Sequence, residues 1–334
     1  MKLTMELGAR SYDILIARGC LQKAAQQLNL NRKVCIVTDT GVPRQYVEAL
    51  AAQCGQAVIY TALAGESHKT MDTVTDLCRT MLAHGFSRKD CVAALGGGMV
   101  GDLAGFAAAC FMRGIDFYNI PTTLLAQVDS SIGGKTGVNL DGVKNIVGAF
   151  WQPKKVLIDP DTLKTLSCRL YAEGMAEAVK MALASDKKLF AQLEQGELPV
   201  EELLYGALSI KKAIVEQDER EGGIRKLLNL GHTIGHGVES AAKGSLYHGE
   251  CVGIGMMPMC SDSVRARLQP VLEKLGLPTD THLDKEQIWR AMQHDKKSDS
   301  AGFSAVFVEE IGKAYTKNVS FEQMKTILKG AWHK

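Results

Sequence analysis

No apolar run in this 334-residue sequence is long enough to span a bilayer. The longest, at positions 104–112 and 251–260, fall well short of the roughly 20 residues a membrane helix needs. Charge of one sign is lacking as well. With 39 Lys and Arg against 37 Asp and Glu, the formal net charge is +2, which removes the electrostatic grounds for expecting nucleic acid or a membrane surface as partner. The nine cysteines include no C-x-x-C pair, and Cys35, Cys91 and Cys110 lie inside apolar runs. Buried free thiols in a reducing cytoplasm are therefore expected in place of a disulfide framework. The opening stretch MKLTMELGARSYDILI alternates polar and apolar residues and has no signal-peptide core. Low-complexity tracts and fixed-period repeats are missing too, which excludes solenoids and arrays.

What is there suits a folded enzyme-sized protein. Hydrophobic residues make up 46% and charged residues 23%, and the length favours two domains over one. In the first half, residues 33–38 (KVCIVT), 57–60, 91–95 and 116–120 read as buried strands. Residues 43–54 and 71–84 read as helices, the second ended by Gly85. This rhythm predicts a largely parallel sheet with helices packed on it. From about residue 166, helical periods take over at 169–184, 200–216, 224–242 and 250–268, and strand-like residues become scarce. The expected fold is α/β, with an N-terminal Rossmann-like parallel-sheet domain over 1–163 and a mainly α-helical domain over 164–334.

After the strand at 91–95 comes GGGMVGD, which holds G-x-G-x-x-G at Gly96, Gly98 and Gly101 and opens an Ala-rich helix. Glycine there lets the backbone approach a pyrophosphate, and a helix N-terminus favours its charge. A bare turn would read the same way. Asp39, at the end of an earlier strand, fits either a ribose hydroxyl or a local cap. Residues 121–150 are dense in Gly, Thr, Ser, Asn and Lys. Their GGKTG lacks the full P-loop spacing, because Asp129 stands where the first glycine is required, so an ATP site is not expected. Arg113, Lys135, Lys144, Lys180, Lys211, Arg225, Lys296 and Lys297 form a loose cationic set, several of them beside glycine or in apolar segments. Any one read alone is a solvated surface group. Together they suit a small anionic substrate bearing phosphate and carboxylate.

Three of the eight histidines fall in NLGHTIGHGVESAAKGSLYHGE, at 229–250. His232 and His236 are four apart and would share a helix face, and neutral imidazole is a common zinc ligand. Upstream, Glu177 and Lys180 lie three apart among Ala and Met. One Glu with two His and an open position matches catalytic zinc. Spacing nominates His232 and His236 as the pair without excluding His248.

Four blocks, in their order and spacing, resemble those of the sugar-phosphate cyclase superfamily and, within it, the 3-dehydroquinate synthases. They are GESHK at 65–69, GGGMVGDLAGF at 96–106, PTTLLAQVDSSIGGKTGVN at 121–139 with KN at 144–145, and LNLGHTIGH at 228–236 with HGE at 248–250. The resemblance implies an NAD- and metal-dependent, phosphate-eliminating lyase of the shikimate pathway, cytoplasmic and homodimeric. Its substrate would be 3-deoxy-D-arabino-heptulosonate 7-phosphate and its product 3-dehydroquinate. NAD would be held by Asp39, Glu66, Lys69, Gly98, Met99, Val100, Gly101, Asp102, Thr122, Thr123, Lys135, Lys144, Thr162 and Thr165. Zinc, or cobalt in its place, would sit on Glu177, His232 and His248. Substrate contacts would come from Arg113, Asp129, Lys135, Lys144, Asn145, Lys180, Lys211, Arg225, Asn229, His236 and one of Lys296 and Lys297. Lys135, Asn145, His236, Asp129 and Lys180 would be catalytic. The chain departs from the family pattern at Val143, usually glycine, at Ala64, usually acidic, and at Glu173, usually small or neutral. Pro258 should kink the helix after HGE. The alternatives are a cyclase of another sugar phosphate, a metal-dependent polyol dehydrogenase and a non-catalytic binding relative.

Overall fold

The apolar runs of the first half assemble into one seven-stranded sheet in a computed structural model that describes residues 1–196, 198–295 and 302–332. The strands of this half are β1 (Lys2–Met5), β2 (Tyr12–Ile16), β3 (Lys33–Asp39), β4 (Gln56–Ala62), β5 (Cys91–Gly96), β6 (Asp116–Pro121), β7 (Lys135–Leu140), β8 (Val143–Phe150) and β9 (Lys155–Ile158). Its helices are α1 (Arg44–Ala51), α2 (Met71–Ala83) and α3 (Gly98–Cys110). The sheet order is β1-β2-β9-β6-β5-β3-β4, parallel throughout except for the β1–β2 pair. Successive side chains of a strand point to opposite faces. Val34, Ile36, Cys91, Ala93 and Leu95 pack with Tyr46, Val47 and Leu50 of α1. Cys35, Val37, Val92 and Ala94 pack on the other face with Val74 and Leu77 of α2 and Val100 and Leu103 of α3. Both faces are covered, which is why these strands read as unbroken apolar runs.

Parallel strands place their carboxyl ends on one edge. Asp39 ends β3, the 65–69 turn follows β4, Gly96 ends β5 just before α3, Thr122 and Thr123 follow β6, and Thr162 and Thr165 follow β9. The order reverses beside β3, where β4 lies on one side and β5 on the other. Open sheets of this kind leave room for a ligand at such a switch point. Outside the sheet, β7 and β8 form a hairpin. Its turn is Asp141 and Gly142, with φ of +50° and +79°, the left-handed pair that a two-residue hairpin loop requires.

The chain divides into two compact units, Met1–Ser167 and Cys168–Lys334. The second is mostly helical: α4 (Cys168–Ser185), α5 (Lys187–Gln195), α6 (Val200–Gln217), α7 (His232–Ala242), α8 (His248–Met256), α9 (Asp262–Lys274), α10 (Lys285–Asp295) and α11 (Phe321–Gly330). It also holds an antiparallel hairpin of β10 (Phe303–Val308) and β11 (Ala314–Val319), strands that the sequence pattern did not foretell.

Two helices expected to be continuous are broken. The 224–242 pattern splits into a short 3-10 turn, Ile224–Asn229, and α7, because Gly231 between them takes φ +77°, a conformation open to glycine. The 250–268 pattern starts earlier, at His248, and breaks at a 3-10 turn, Met257–Met259, that contains Pro258, which has no N–H to continue the ladder. Among the described residues, no helix is long and apolar enough to cross a membrane.

Candidate functional site

In the second unit, α4, α7 and α8 each bring one ligand-type side chain to a common point. Glu177 lies mid-way along α4, completely buried. His232 is the first residue of α7 and His248 the first of α8. One ligand atom from each lies within 4.8 Å of the others. The Nε2 atoms of His248 and His232 are 3.5 and 3.7 Å from Glu177 Oε1. The helices can meet this closely because position 249 is glycine: a Cβ there would sit 2.4 Å from the Glu173 carbonyl oxygen of α4. His236, four after His232, is exposed, with its ring centroid 5.2 Å from that of His232 and 5.9 Å from that of His248.

The electrostatics of the three groups differ. Lys180, one turn after Glu177 and 2% exposed, forms an ion pair with Glu177 Oε2. Burial alone would raise the Glu177 carboxyl, but Lys180, with His248 and His232, outweighs it and holds it well below the usual carboxylate range. Burial, together with Lys180, pushes the His232 imidazole well down. Burial works the same way on His248, yet the carboxylates of Glu177 and Glu239 overcome it and push that imidazole up to about 10. Despite the Lys180 contact, neither Glu177 oxygen accepts a hydrogen bond of normal geometry. Two acceptor oxygens buried without such a bond, faced by two ring nitrogens, fit a divalent cation held by one carboxylate and two imidazoles with positions left open.

Other sequence candidates in this unit are also buried. Lys211 on α6 is 6% exposed and Arg225 3%, so neither is the solvated cation that composition alone suggests. The Asp218 carboxylate accepts from the backbone N–H groups of Gly222, Gly223 and Arg225, at 2.8, 2.7 and 3.0 Å. The Arg225 guanidinium donates to the Glu219 carbonyl. Asn229 Nδ2 donates to Glu221 Oε1 at 2.7 Å. Glu173 stands one turn before Glu177 on α4, and burial raises its carboxyl, with Glu239 adding to the rise. Lys296 and Lys297 lie outside the described residues.

In the first unit, Lys69 is 3% exposed and lies 3.0 Å from Glu66 Oε1 and 3.1 Å from Asp102 Oδ2. That ties the 65–69 turn to the first turn of α3, where Gly98, Met99, Val100, Gly101 and Asp102 stand. Asn139 of β7 donates to Glu66 and accepts from the Asn145 N–H at 2.9 Å; Asn145 itself holds φ +54°. Gln127 Nε2 donates to Thr162 Oγ1 at 3.0 Å, and Thr165 Oγ1 donates to the Thr162 carbonyl. Thr122 donates its N–H to the Gly96 carbonyl at 2.9 Å, and Thr123 Oγ1 accepts from the Ala126 N–H. Asp39 Oδ1 accepts from the Gly41 N–H at 2.7 Å, so it at least caps its own turn. Arg113 follows Met112 in the left-handed region, with φ +69° and +51°, and is exposed, as are Lys135, Lys144 and Asn145. Asp129 is partly buried in the turn after β6. A cavity near these groups is lined by Asp102, Asn119, Ser130, Lys135, Thr136 and Trp151 among others.

Sequence reasoning did not single out Gln127, Asn139 or Glu239, which hold other candidates in place. Glu239 had a usable signal: it is a carboxylate three positions after His236 on one helix.

Comparison with known proteins follows the same division. Residues 59–173 match the family description "3-dehydroquinate synthase N-terminal" and residues 174–298 match "3-dehydroquinate synthase C-terminal". A 3-dehydroquinate synthase of Streptococcus suis (strain 05ZYH33) is 42% identical over 98% of this chain and 99% of its own. The crystal structure of 2-deoxy-scyllo-inosose synthase complexed with carbaglucose-6-phosphate, NAD+ and Co2+ superposes with a TM-score of 0.91 at 25% identity, covering 99% of this chain and 100% of that one. The 2-epi-5-epi-valiolone synthase of Streptomyces hygroscopicus subsp. jinggangensis 5008, with NAD+ and Zn2+ bound, gives 0.87 at 30% identity over 96% of each chain.

Proposed function

The chain belongs to the 3-dehydroquinate synthase family, and we propose that it carries out that family's reaction. It converts 3-deoxy-D-arabino-heptulosonate 7-phosphate to 3-dehydroquinate and phosphate, as a cytoplasmic homodimer of the shikimate pathway. The sequence of events is oxidation at C5, loss of phosphate by β-elimination, reduction at C5, ring opening and an intramolecular aldol closure. When bound, NAD supplies a transient hydride acceptor with no net redox change, and zinc or cobalt supplies a Lewis acid for the C4 and C5 oxygens.

The observation that carries this reading is the convergence of Glu177, His232 and His248 around acceptor oxygens without normal hydrogen bonds. Those three residues hold the cation, and Lys180 keeps the Glu177 carboxylate ionised and ready at neutral pH. His236, exposed beside the pair, exchanges protons with the substrate hydroxyls. Lys135 and Asn145 stabilise developing oxyanions, with Asp129 and Lys180 completing the proton and charge relay. The substrate phosphate itself takes the C6 proton. The candidate contacts for its anionic groups are Arg113, Lys144, Lys211, Arg225, Asn229 and one of Lys296 and Lys297. NAD would be held by Asp39, Glu66, Lys69, the 98–102 helix start, Thr122, Thr123, Lys135, Lys144, Thr162 and Thr165, several of which stand at or just after the carboxyl ends of β3, β4, β5, β6 and β9.

The test is one incubation of the purified protein with the heptulosonate phosphate, a catalytic amount of NAD and Zn2+, following free phosphate and NADH together. Phosphate release without NADH accumulation is expected. Turnover that stops when the NAD has been converted to NADH, without release of phosphate, would make the chain a polyol dehydrogenase instead.

A further inference from the structure

We infer that Glu239 is a positioning residue for the cation site, fixing the ring of His248 so that Nε2 is the nitrogen presented to the metal. The inference rests on the metal-dependent reading above. His248 has its two ring nitrogens on two different carboxylates: Nδ1 lies 3.2 Å from Glu239 Oε2, and Nε2 lies 3.5 Å from Glu177 Oε1. A carboxylate can only accept, so Nδ1 is the donor in the first contact. Nε2 also faces a carboxylate and carries a proton while the site is empty; with Nδ1–H retained by Glu239, Nε2 is the nitrogen whose proton a cation displaces.

The second histidine repeats the arrangement with a different acceptor. His232 Nδ1 lies 3.2 Å from the Leu230 carbonyl oxygen, and its Nε2 turns toward the same Glu177 oxygen. That carbonyl is available because Gly231 breaks the chain between the 3-10 turn and α7. Both imidazoles therefore have the outer nitrogen tied and the inner one aimed inward, one by backbone and one by Glu239. The two ties are not equivalent. A carboxylate accepting from Nδ1–H raises the basicity of Nε2 more than a neutral carbonyl does. Glu239 sits on α7, seven positions after His232, so one helix supplies a ligand and the orienting partner of the other histidine.

A rival role for Glu239 follows from the same neighbourhood. His236, Glu239 and His248 also offer ligand atoms within 4.8 Å of one another, and in that arrangement Glu239 would itself ligate a second cation through the shared ring. Metal stoichiometry and the protonation of His248 Nδ1 in the loaded protein separate the two roles.

The test uses the full chain, stripped of metal and titrated with Zn2+ against a chromophoric chelator, with the visible spectrum of the Co2+-loaded form as a second readout. The parent should bind one cation per chain. Glu239→Ala should bind it about 10- to 100-fold more weakly with a shifted Co2+ spectrum. Glu239→Gln, whose amide oxygen still accepts from Nδ1–H, should recover most of the affinity and the parent spectrum. Independently of any variant, histidine-nitrogen NMR of isotope-labelled, Zn2+-loaded protein should find the proton of His248 on Nδ1. A Glu239→Ala protein matching the parent in affinity and spectrum would overturn the inference, as would a proton on Nε2. Two cations per parent chain, one lost in Glu239→Ala, would overturn it in favour of a ligand role. A parent that binds no divalent cation would overturn the metal reading and this inference together.

Discussion

Lys69 and Lys180 are both almost fully buried, and each meets a carboxylate three positions earlier, Glu66 and Glu177 respectively. The two clusters nevertheless differ in what is left over. Lys69 also reaches Asp102, and its carboxylate partners still touch solvent, the side chains of Glu66 and Asp102 being 40% and 21% exposed. Cation and anions are all satisfied, and the pair fastens a turn to a helix. Around Lys180 the anion is the buried partner: Glu177 has no exposure, neither oxygen accepts a normal hydrogen bond, and the next neighbours are ring nitrogens. A lysine–carboxylate pair three apart does not by itself mark a reactive centre. The acceptor left without a normal bond does.

That contrast can be broken by substitution, with effects that should fall in a definite order. Glu177→Gln should do the most. It leaves Lys180 buried without its counter-charge, a loss of about 3–5 kcal/mol in denaturant unfolding of the metal-free protein, and it should abolish tight cation binding. If Glu177→Gln unfolds at the parent midpoint and still binds Zn2+ tightly, Glu177 is neither the counter-charge of Lys180 nor a metal ligand. Gly249→Ala comes next. Its Cβ would meet the Glu173 carbonyl at 2.4 Å, forcing α8 off α4 and His248 off Glu177. The cost should lie at the upper end of about 1–3 kcal/mol, with weaker Zn2+ binding as the specific signature; unchanged metal affinity would mean that helix approach does not set the site.

Lys69→Met should cost less, near the lower end of about 1–3 kcal/mol, because the two carboxylates it abandons can reach water. Its signature should be weaker NAD binding in calorimetry with Zn2+ binding untouched. Equal losses from Lys69→Met and Glu177→Gln would erase the difference between the clusters. The smallest effect concerns a carboxylate held chiefly by backbone N–H groups. The N–H of Arg225, with those of Gly223 and Gly222, lowers Asp218 in the folded protein. A folded value below the unfolded one gives stability that is present above about pH 4 and lost as pH falls through the folded value. Protection factors at residues 222, 223 and 225, exchange rates taken relative to the intrinsic rate at each pH, should therefore fall in acid before the rest of the unit opens; protection that persists there to global unfolding would contradict this.

Much of the first unit was legible because its strands are buried on both faces and so carry near-continuous apolar runs. The β7–β8 hairpin was not, although Asp141–Gly142 is a recognisable two-residue turn, because its flanking residues also read as a ligand-rich loop and β8 is largely exposed. In the second unit, helical periodicity runs straight across Gly231, and only the backbone reveals the break that starts α7 at His232. The site was partly legible for the same reason. Four-residue spacing links His232 to His236 along one helix, whereas proximity to Glu177 depends on how α4, α7 and α8 cross, which no local period records. The resemblance to known cyclases supplied the assignment of His248 that spacing left open. Glu239 was passed over because an acidic residue on a helix face is ordinarily solvated.

The most direct measurement is the zinc content of His248→Ala and His236→Ala prepared side by side. His248→Ala should lose the metal, while His236→Ala should keep one zinc per chain and lose turnover. An empty His236→Ala protein, or a His248→Ala protein that retains its zinc, would contradict the assignment of Glu177, His232 and His248 as the metal centre.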